Sequence, residues 1–535
     1  MVGDSPVSMP PVDPAPPPEG GGRPRPAAIG IDFGTSKCCV AAVRDGRVDV
    51  LENELRQRTT PSCVAFNSQQ RLVGSDALDQ AVVNCTNTVH AVKSFLGRTY
   101  DEVKDMSSLC RIQQTYSDNK FEYAVQYKNH DQRLRPDQVA AMLLGKMKDI
   151  AESSLGCPVD RAVISVPASF GNAQRLAVKY AAKVAGLEVL ELINETTAAG
   201  VAFADNRTVK TPAVIAVVDF GAGKLDVSIM EVRDGSVNVI ATNGNPNLGG
   251  RDLDEALAAH CETLIQEKYN YTVKDKKQLE RLRIACEKSK KTLALLPEAR
   301  LSLDGIFGST DANLTIKRKE FNSLISRDIR REITLSFDRL ISQKSLTKDV
   351  ISKVVLVGGS TRVPLVRAIL EEYFGPGKLD QTVNQDEAVA LGAALRAAAL
   401  DGRGAAVGGI AVRDVSFYDI VCTDELIHEW VSEENRFLKD IERETKRVDA
   451  EVNLDSLCIE IGNMMSDAEH LFPVGLEARE KFKSFEAELQ KIAEWNESSE
   501  SASIEAISAK MDELAVIRVQ LVEMIQEQRT RSPGE

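Results

Sequence analysis

The 535-residue sequence predicts a two-part protein, with an α/β domain of two similar lobes over residues 27–400 and an α-helical domain over residues 422–528. One observation is the alternation of short β-branched runs with helix-length segments up to residue 400, which is typical of α/β domains. Another is an Asp-Phe-Gly motif that occurs twice, 187 residues apart. The third is a change to helical periodicity and acidic composition beyond Asp401.

The amino-terminal segment is rich in proline. Residues 1–26 contain nine of the 20 prolines together with Gly20, Gly21 and Gly22. Such a segment cannot bury enough apolar surface to offset the entropy of ordering it. We therefore predict a disordered tail there, which we favour over a ligand for an SH3-type groove, and a second short tail over residues 529–535.

Six apolar runs within residues 27–400 have the length and β-branched content of buried strands. They read IGIDF, CVAAV, AVISVP, AVIAVVDF, VSIMEV and VVLVGG. Polar or amphipathic segments of helix length lie between several of these runs. This alternation predicts sheets covered by helices.

A linker over residues 401–421 leads into a region of helical periodicity. Apolar residues recur there every three or four positions, first at Phe482, Phe485, Leu489 and Ile492, and then from Ile504 to Met524. Gly475 and residues 496–503 are the predicted breaks. One apolar stripe on each helix predicts a bundle that closes its own core, an interpretation we favour over a cofactor site.

The net charge of −13 is unevenly distributed along the chain. Residues 401–535 hold 30 acidic and 15 basic residues, whereas residues 1–400 hold 49 acidic and 51 basic ones. Neither part contains the dense basic patch that binding to a nucleic-acid backbone requires. We therefore expect a separate acidic unit at the carboxyl end and no nucleic-acid partner.

Cysteine usage and hydropathy indicate the compartment. The ten cysteines form no CxxC pair and no Cys/His cluster at metal-ligand spacing, which favours a reducing environment. The longest apolar runs, such as residues 213–218, are far shorter than the ~18 residues that a membrane-spanning helix needs. No secretory signal precedes Ala27 and no KDEL-type ending follows Pro533. We expect a cytoplasmic protein without a membrane segment, with the nucleus as an alternative.

The most specific signal is the repeated hairpin. Residues 31–40 (IDFGTSKCCV) and 218–227 (VDFGAGKLDV) match at Asp, Phe, Gly, Lys and Val. Glycine lets backbone amides approach a phosphate closely, and an Asp at the end of a strand can hold Mg²⁺ through water. Either copy alone is also explained by an ordinary hairpin turn. Two copies that face each other would clamp a nucleoside triphosphate.

Two further glycine turns follow the same pattern near strand ends. In residues 354–364 (VVLVGGSTRVP), Gly358 and Gly359 are positioned to pass beneath a base and its α-phosphate, and Arg362 to stack or pair there. Residues 247–254 (NLGGRDLD) offer another glycine pair before a helix. In open α/β folds, ligands bind at turns of this kind.

IDFGTSKCCVAAV, VVDFGAGKLDVSIM and VVLVGGSTRVPLVRAIL resemble the three signature stretches of the seventy-kilodalton heat-shock chaperone family of the DnaK type. VISVPASFGNAQR, LINETTAAGVAFA, RIACEKSKKTL and NQDEAVALGAA support the resemblance, which runs from about Ala27 to Leu400. It implies an actin-like, two-lobed ATPase domain that uses ATP or ADP with Mg²⁺, and a helical carboxyl-terminal domain that is similar to the family's lid. It also implies a slow ATPase of chaperone type, with J-domain co-chaperones and nucleotide-exchange factors as partners.

The resemblance also implies roles for individual residues. Lys93 would reach the γ-phosphate and the attacking water, Glu195 would position that water and Asp226 would assist. Asp32 and Asp219 would organise Mg²⁺, mostly through water. The implied nucleotide-binding positions are Asp32, Gly34, Thr35, Ser36, Lys37, Gly221, Ala222, Gly223, Lys224, Gly249, Gly250, Glu287, Lys290, Lys291, Gly358, Gly359, Ser360, Arg362 and Asp386. Pro167 and Arg175 would relay the state of the bound nucleotide toward the linker. Without the family, Lys93 is also explained as a solvated charge and Glu195 as an acid at a helix start.

Several positions depart from the family's pattern. Ala222 and Lys224 stand where the family has glycine and threonine, so an ammonium replaces a hydroxyl near the γ-phosphate. Loss of one such donor costs roughly 2.7–4 kcal/mol in turnover, although an added positive charge can tighten binding. Lys291 replaces a stacking arginine and Ala294 a serine that bonds the adenine ring, from which we expect weaker ATP affinity than is usual in the family.

The second half of the chain departs most from the family's pattern. Residues 413–421 resemble the family's linker and the first strand of its peptide-binding β-sandwich, but helical periodicity resumes by about Asp424. No room remains for eight strands of five or six residues, so we expect that client peptide is not gripped in the usual way. The alternative function is a non-hydrolysing scaffold that binds co-chaperones through the ATPase-like domain. A sugar or acetate kinase is a weaker third option.

Overall fold

A computed structural model describes residues 27–104, 106, 113–117, 120–128, 130–205, 212–233, 235–303, 305, 311–402, 410–414, 446–447, 449–473, 477–498 and 502–531. The chain divides into two compact units, Met1–Val421 and Cys422–Glu535. The predicted tail over residues 1–26 lies outside the described residues, as do most of the predicted linker, the strand-like residues 415–421 and Gly475. Within the described part, no helix is long and apolar enough to cross a bilayer.

The first unit contains twenty strands among its described residues. They are β1 (Ala27–Phe33), β2 (Lys37–Arg44), β3 (Arg47–Val50), β4 (Thr60–Pro61), β5 (Cys63–Phe66), β6 (Arg71–Val73), β7 (Thr88–His90), β8 (Gln113–Ser117), β9 (Lys120–Tyr127), β10 (His130–Leu134), β11 (Val159–Val166), β12 (Glu188–Asn194), β13 (Ala213–Phe220), β14 (Leu225–Arg233), β15 (Ser236–Asn245), β16 (Glu298–Leu303), β17 (Ala312–Lys317), β18 (Lys353–Val357), β19 (Leu379–Asp380) and β20 (Ala411–Arg413).

Helices alternate with these strands along the first unit and make up the described core of the second. In the first unit they are α1 (Ser75–Asp79), α2 (Tyr100–Val103), α3 (Pro136–Leu155), α4 (Asn172–Val184), α5 (Glu195–Asp205), α6 (Gly250–Tyr269), α7 (Lys276–Leu295), α8 (Arg318–Gln343), α9 (Pro364–Phe374) and α10 (Ala388–Leu400). In the second unit they are α11 (449–468), α12 (Glu477–Ser498) and α13 (Ile504–Arg531).

Two main sheets share one design, and this confirms the prediction of two similar α/β lobes. The first sheet has the order β12-β11-β1-β2-β3, with β4 beside β2, and the second has the order β19-β18-β13-β14-β15-β20. In each sheet the repeated motif forms an antiparallel hairpin whose first strand also pairs in parallel with a later strand, β11 for β1 and β18 for β13. The registers correspond, because Asp32 lies opposite Cys39 and Asp219 lies opposite Asp226.

Each sheet is covered by its own helices. Helices α3 and α4 close the core of the first lobe, and α6 to α9 close the core of the second. Smaller sheets, β6-β5-β7, β10-β9-β8 and β16-β17, extend the lobes. A third core, between the lobes, holds α5 and α10 together with valines of both sheets, including Val163 and Val217.

Helices α5 and α10 approach each other and the first sheet at backbone distance. Helix α10 reads AVALGAALRAAAL, so small apolar residues cover nearly its whole circumference and allow burial on every side. A Cβ added to Gly392 would lie 1.8 Å from the carbonyl oxygen of Ala198, and one added to Gly30 would lie 2.0 Å from the amide nitrogen of Ala394. Glycine is therefore required at both crossings.

The second unit is a helical bundle in its described residues. The predicted stripes are buried, including Phe482, Phe485, Leu514 and Leu521. The Phe472 and Phe482 rings stack with centroids 4.6 Å apart. The break expected over residues 496–503 agrees with the end of α12 and the start of α13, while α13 extends three residues beyond the expected boundary at residue 528.

Candidate functional site

The two hairpins of the repeat face each other across a cavity of about 810 Å³ in the first unit. Their turns are in close contact, since a Cβ on Gly223 would lie 3.1 Å from Oγ1 of Thr35. Of the predicted catalytic and nucleotide-binding residues, only Asp226 and Gly249 do not line the cavity. Those that line it are Asp32, Gly34, Thr35, Ser36, Lys37, Lys93, Glu195, Asp219, Gly221, Ala222, Gly223, Lys224, Gly250, Glu287, Lys290, Lys291, Gly358, Gly359, Ser360, Arg362 and Asp386.

The glycine turns are held together by their backbones. The amide of Gly250 donates to the carbonyl of Gly221 at 2.9 Å, and the hydroxyl of Ser360 donates to the same carbonyl at 2.9 Å. Gly249 lies behind the cavity wall, where a Cβ would be 2.4 Å from the carbonyl oxygen of Ala222. Gly358 has φ +79°, in the left-handed region that favours glycine. Three turns that are distant in sequence thus form one wall.

A buried charge cluster lies at the wall of the cavity. The Lys93 ammonium donates to the carbonyl of Phe33 and to Oε1 of Glu195, while the Lys224 ammonium lies 2.5 Å from Oε2 of Glu195. Lys224 also pairs with Asp226 and lies 3.6 Å from Oδ2 of Asp219. Lys93, on the short turn Val92–Ser94, is only 3% exposed, so the interpretation as a solvated charge was wrong.

Burial and pairing shift the pKa values of this cluster in opposite directions. Burial alone would raise the pKa of Glu195, but Lys224 and Lys93 outweigh it and lower that pKa to about 2. Burial and the neighbouring Glu195 raise the pKa of Asp32 to about 6. Burial would lower the pKa of Lys224, yet Asp226, Glu195 and Asp219 hold it well above its ordinary value. Glu195 is therefore a carboxylate and Lys224 an ammonium at neutral pH.

The cavity lining also carries the residues implied for adenosine. Arg362 pairs with Asp386 at 2.8 Å, and Lys291 pairs with Glu287 at 2.6 Å. Lys290 instead turns towards Asp254 at 2.7 Å, an acid that we did not predict as a site residue although it belongs to the NLGGRDLD stretch.

Other lining residues carried no signal in the sequence. The cavity is also lined by Glu280, His90 and Cys63, which belong to none of the predicted binding motifs. Arg251 lines it too and belongs to the glycine turn over residues 247–254. Burial lowers the pKa of His90 to about 4, so its imidazole is neutral at neutral pH. Only the fold brings these residues together.

A family model described as Hsp70 protein matches residues 28–423, which is about three quarters of the chain. The chain belongs to the Hsp70 family. This confirms the resemblance to seventy-kilodalton heat-shock proteins and, with the two-lobed architecture, the expected actin-like fold.

Curated relatives agree with this assignment over the same region. The Hsp70-family chain is 38% identical over 382 residues to a heat shock protein of Pyricularia oryzae, covering 70% of this chain and 62% of the relative. It is 37% identical over 382 residues to a ribosome-associated molecular chaperone of Saccharomyces cerevisiae, with the same coverage. Heat shock cognate 70 kDa protein 3 of Dictyostelium discoideum is 36% identical over 382 residues, covering 70% and 60%. The chain thus spans about 60% of the length of the curated relatives it matches.

In this Hsp70-family chain the predicted relay pair is in contact. The Arg175 guanidinium donates to Oδ1 of Asn194 at 2.7 Å, to the carbonyl of Phe170 at 2.9 Å and to that of Pro167 at 3.4 Å. Asn194 directly precedes Glu195. Arg175 is therefore connected through Asn194 to Glu195, which lines the cavity.

Two carboxylates meet the requirements of the expected metal. Asp32 and Asp219 lie near the ends of β1 and β13 and line the cavity. Mg²⁺ prefers oxygen ligands and usually keeps several waters. Among the residues that the structure describes, no three His, Cys, Asp or Glu side chains are arranged to hold a metal ion together. Asp32 and Asp219 are oxygen ligands of the type that Mg²⁺ prefers, and they stay a predicted Mg²⁺ site held mostly through water.

Proposed function

We propose that this chain binds ATP in the cavity of its first unit and hydrolyses it slowly to ADP and phosphate. One observation carries the proposal: two facing hairpin turns and two further glycine turns meet the buried Lys93–Glu195 pair in a single cavity. Backbone amides at such turns form anion-binding concavities, and buried ammonium groups stabilise phosphate charge strongly because water is excluded.

In the proposed reaction the protein positions its reactants and performs little covalent chemistry. Glu195, with its pKa lowered to about 2, accepts a hydrogen bond from water and orients it, but is too weak a base to remove its proton. The water oxygen attacks the γ-phosphorus as the bond to the bridging oxygen breaks. ADP leaves, one water proton stays on the phosphate and the other goes to solvent. Mg²⁺ bound near Asp32 and Asp219 would neutralise phosphate charge.

Turnover is expected to be slow and affinity modest. Lys224 replaces the family's hydroxyl and is engaged by Glu195 and Asp226. Removal of one well-placed donor to the developing charge costs roughly a hundred- to a thousand-fold in rate. Lys291 pairs with Glu287, and an ammonium does not reproduce guanidinium stacking on the adenine ring.

We further propose a chaperone-type role with J-domain co-chaperones and exchange factors as partners. Relatives named as heat shock proteins and as a ribosome-associated chaperone support this role and a cytoplasmic address. We propose that client peptide is not gripped in the usual way, because the described residues of the second unit form helices and connecting turns. Binding of a fluorescent apolar peptide by the whole chain would overturn that part.

Single-turnover hydrolysis of radiolabelled ATP, with and without a J-domain protein, tests the ATPase proposal. We expect slow phosphate release that Lys93→Met abolishes, because this variant removes the ammonium that pairs with Glu195 and would contact the γ-phosphate. Lys319→Thr changes an exposed lysine on α8 and should behave like the original chain. No phosphate release from the original chain under either condition would overturn the proposal.

The alternative is a scaffold that binds nucleotide or co-chaperones without hydrolysis. The observation in its favour is that Lys224 already pairs with Glu195 and Asp226, the two carboxylates assigned to the attacking water. ADP binding with retained J-domain binding, but without phosphate release, would establish this alternative.

A further inference from the structure

The Lys224 ammonium lies within a group of buried acidic side chains. Three carboxylates surround it: Glu195 at 2.5 Å, Asp219 at 3.6 Å and Asp226 in direct contact. These acids come from three different elements, α5, β13 and β14. The lysine itself stands on the turn between β13 and β14, so a short tether fixes its charge at the centre of the group.

The charges of the cluster show what this lysine contributes. Four carboxylates, from Asp32, Glu195, Asp219 and Asp226, lie beside two ammonium groups, from Lys93 and Lys224. Lys93 reaches only one oxygen of Glu195 and the carbonyl of Phe33. Without Lys224, Glu195, Asp219 and Asp226 would share a buried space with the Lys93 ammonium, and a carboxylate that is ionised there would repel an incoming phosphate.

We propose that Lys224 is a covalently attached cation of the nucleotide site, so that ADP and ATP bind with little dependence on a divalent metal. The inference rests on the proposed nucleotide-binding function and deepens it. A divalent metal at a phosphate site neutralises both the phosphates and the protein's acids. Here the positive charge of Lys224 already offsets part of the acids' negative charge without a metal, so the ligand class extends to metal-free nucleoside di- and triphosphates.

The decisive comparison measures ADP affinity by isothermal titration calorimetry in Mg²⁺ and in EDTA. For the original chain we expect the two dissociation constants to differ by about tenfold or less, and for Lys224→Thr by about 100-fold or more, because close charge pairs in desolvated sites have large coupling energies. Lys319→Thr, the same change at an exposed position, should match the original chain. Equal ratios for Lys224→Thr and the original chain would overturn the proposal.

A second measurement needs neither nucleotide nor catalysis. Thermal unfolding of the nucleotide-free original chain should not respond to Mg²⁺, whereas Lys224→Thr should be stabilised by it because the ion then offsets the charge of carboxylates that have lost their attached ammonium. Equal stabilisation of both proteins would contradict the proposal. Should Lys224→Thr fail to fold, a difference of about 100-fold between Mg²⁺ and EDTA in the original chain would still overturn it. An original chain that binds no ADP in either buffer refutes the proposed function, while the unfolding measurement continues to test Lys224.

Discussion

Because α5 and α10 cross at backbone distance, one added methyl group at the crossing should measurably lower the free energy of unfolding. In Gly392→Ala the new Cβ would lie 1.8 Å from the carbonyl oxygen of Ala198, whereas real contacts of this kind do not fall below 3.0 Å. The helices must separate by about 1.2 Å, and the obstacle is backbone, so no side-chain rotation relieves it. Overpacking lowers the free energy of unfolding by about 1–3 kcal/mol, and the higher helix propensity of alanine offsets up to ~1 kcal/mol of this loss. We expect a net loss of about 2 kcal/mol in the free energy of unfolding.

Urea denaturation followed by far-ultraviolet circular dichroism measures this loss. Gly145→Ala on α3 is the matched control, because nothing lies within 4 Å of its Cβ, and it should leave stability unchanged or raise it by up to ~1 kcal/mol. Both tryptophans, Trp430 and Trp495, belong to the second unit, so tryptophan fluorescence provides an internal reference that should not change. A Gly392→Ala chain that unfolds at the original urea concentration would refute the close approach of the two helices.

Two further predictions concern other parts of the chain. The pKa of His90 is lowered to about 4, so its neutral form contributes stability that is complete above about pH 6.5 and is lost as the pH falls, by about 2 kcal/mol at pH 5. Urea denaturation at pH 8 and pH 5 should show a smaller loss for His90→Gln, and an equal loss would count against a buried neutral imidazole. Leu514→Ala removes a side chain from the core of the second unit and should lower the free energy of unfolding, followed by tryptophan fluorescence, by about 2–5 kcal/mol. Val516→Ala changes an exposed residue and should be nearly neutral. Similar effects of both changes would contradict the helical bundle.

The repeated motif made the two-lobed fold predictable, because one local pattern at two places implies one local structure twice. The position of α10 was not predictable in the same way. Its sequence is apolar on every side, so periodicity does not indicate which face meets which neighbour. Its place is decided by two backbone contacts, at Gly30 and Gly392, between segments that are distant in the chain. The small sheets were missed because strands such as Arg71–Val73 and His130–Leu134 are short or largely polar.

In the site, too, local features could be predicted from the sequence, whereas contacts between distant residues could not. Glycine turns at strand ends identified part of the cavity lining, because their geometry is local, whereas Lys93, Glu195 and Lys290 were predicted only through the family resemblance. The partners of Lys224 were not predictable, since the sequence indicated only that an ammonium replaces a hydroxyl. Its direction is set by Asp226, two residues along the same hairpin, and by Glu195, which lies on α5. Burial of Lys93 likewise depends on Phe33 and Glu195, which are 60 and 102 residues away in the sequence.

Titration of the whole chain with ADP tests the central claim, that the cavity of the first unit is a nucleotide site. Gly359→Val is the informative variant, because Gly359 lines the cavity and a Cβ there makes only ordinary contacts, with Arg362 Nη1 at 3.7 Å and Asp386 Oδ1 at 3.8 Å. Gly145→Val is its control, with open space around its Cβ. We predict saturable binding at one site in the original chain and in Gly145→Val, and its loss in Gly359→Val. Absence of binding in the original chain, or equal affinity in Gly359→Val, would contradict the claim.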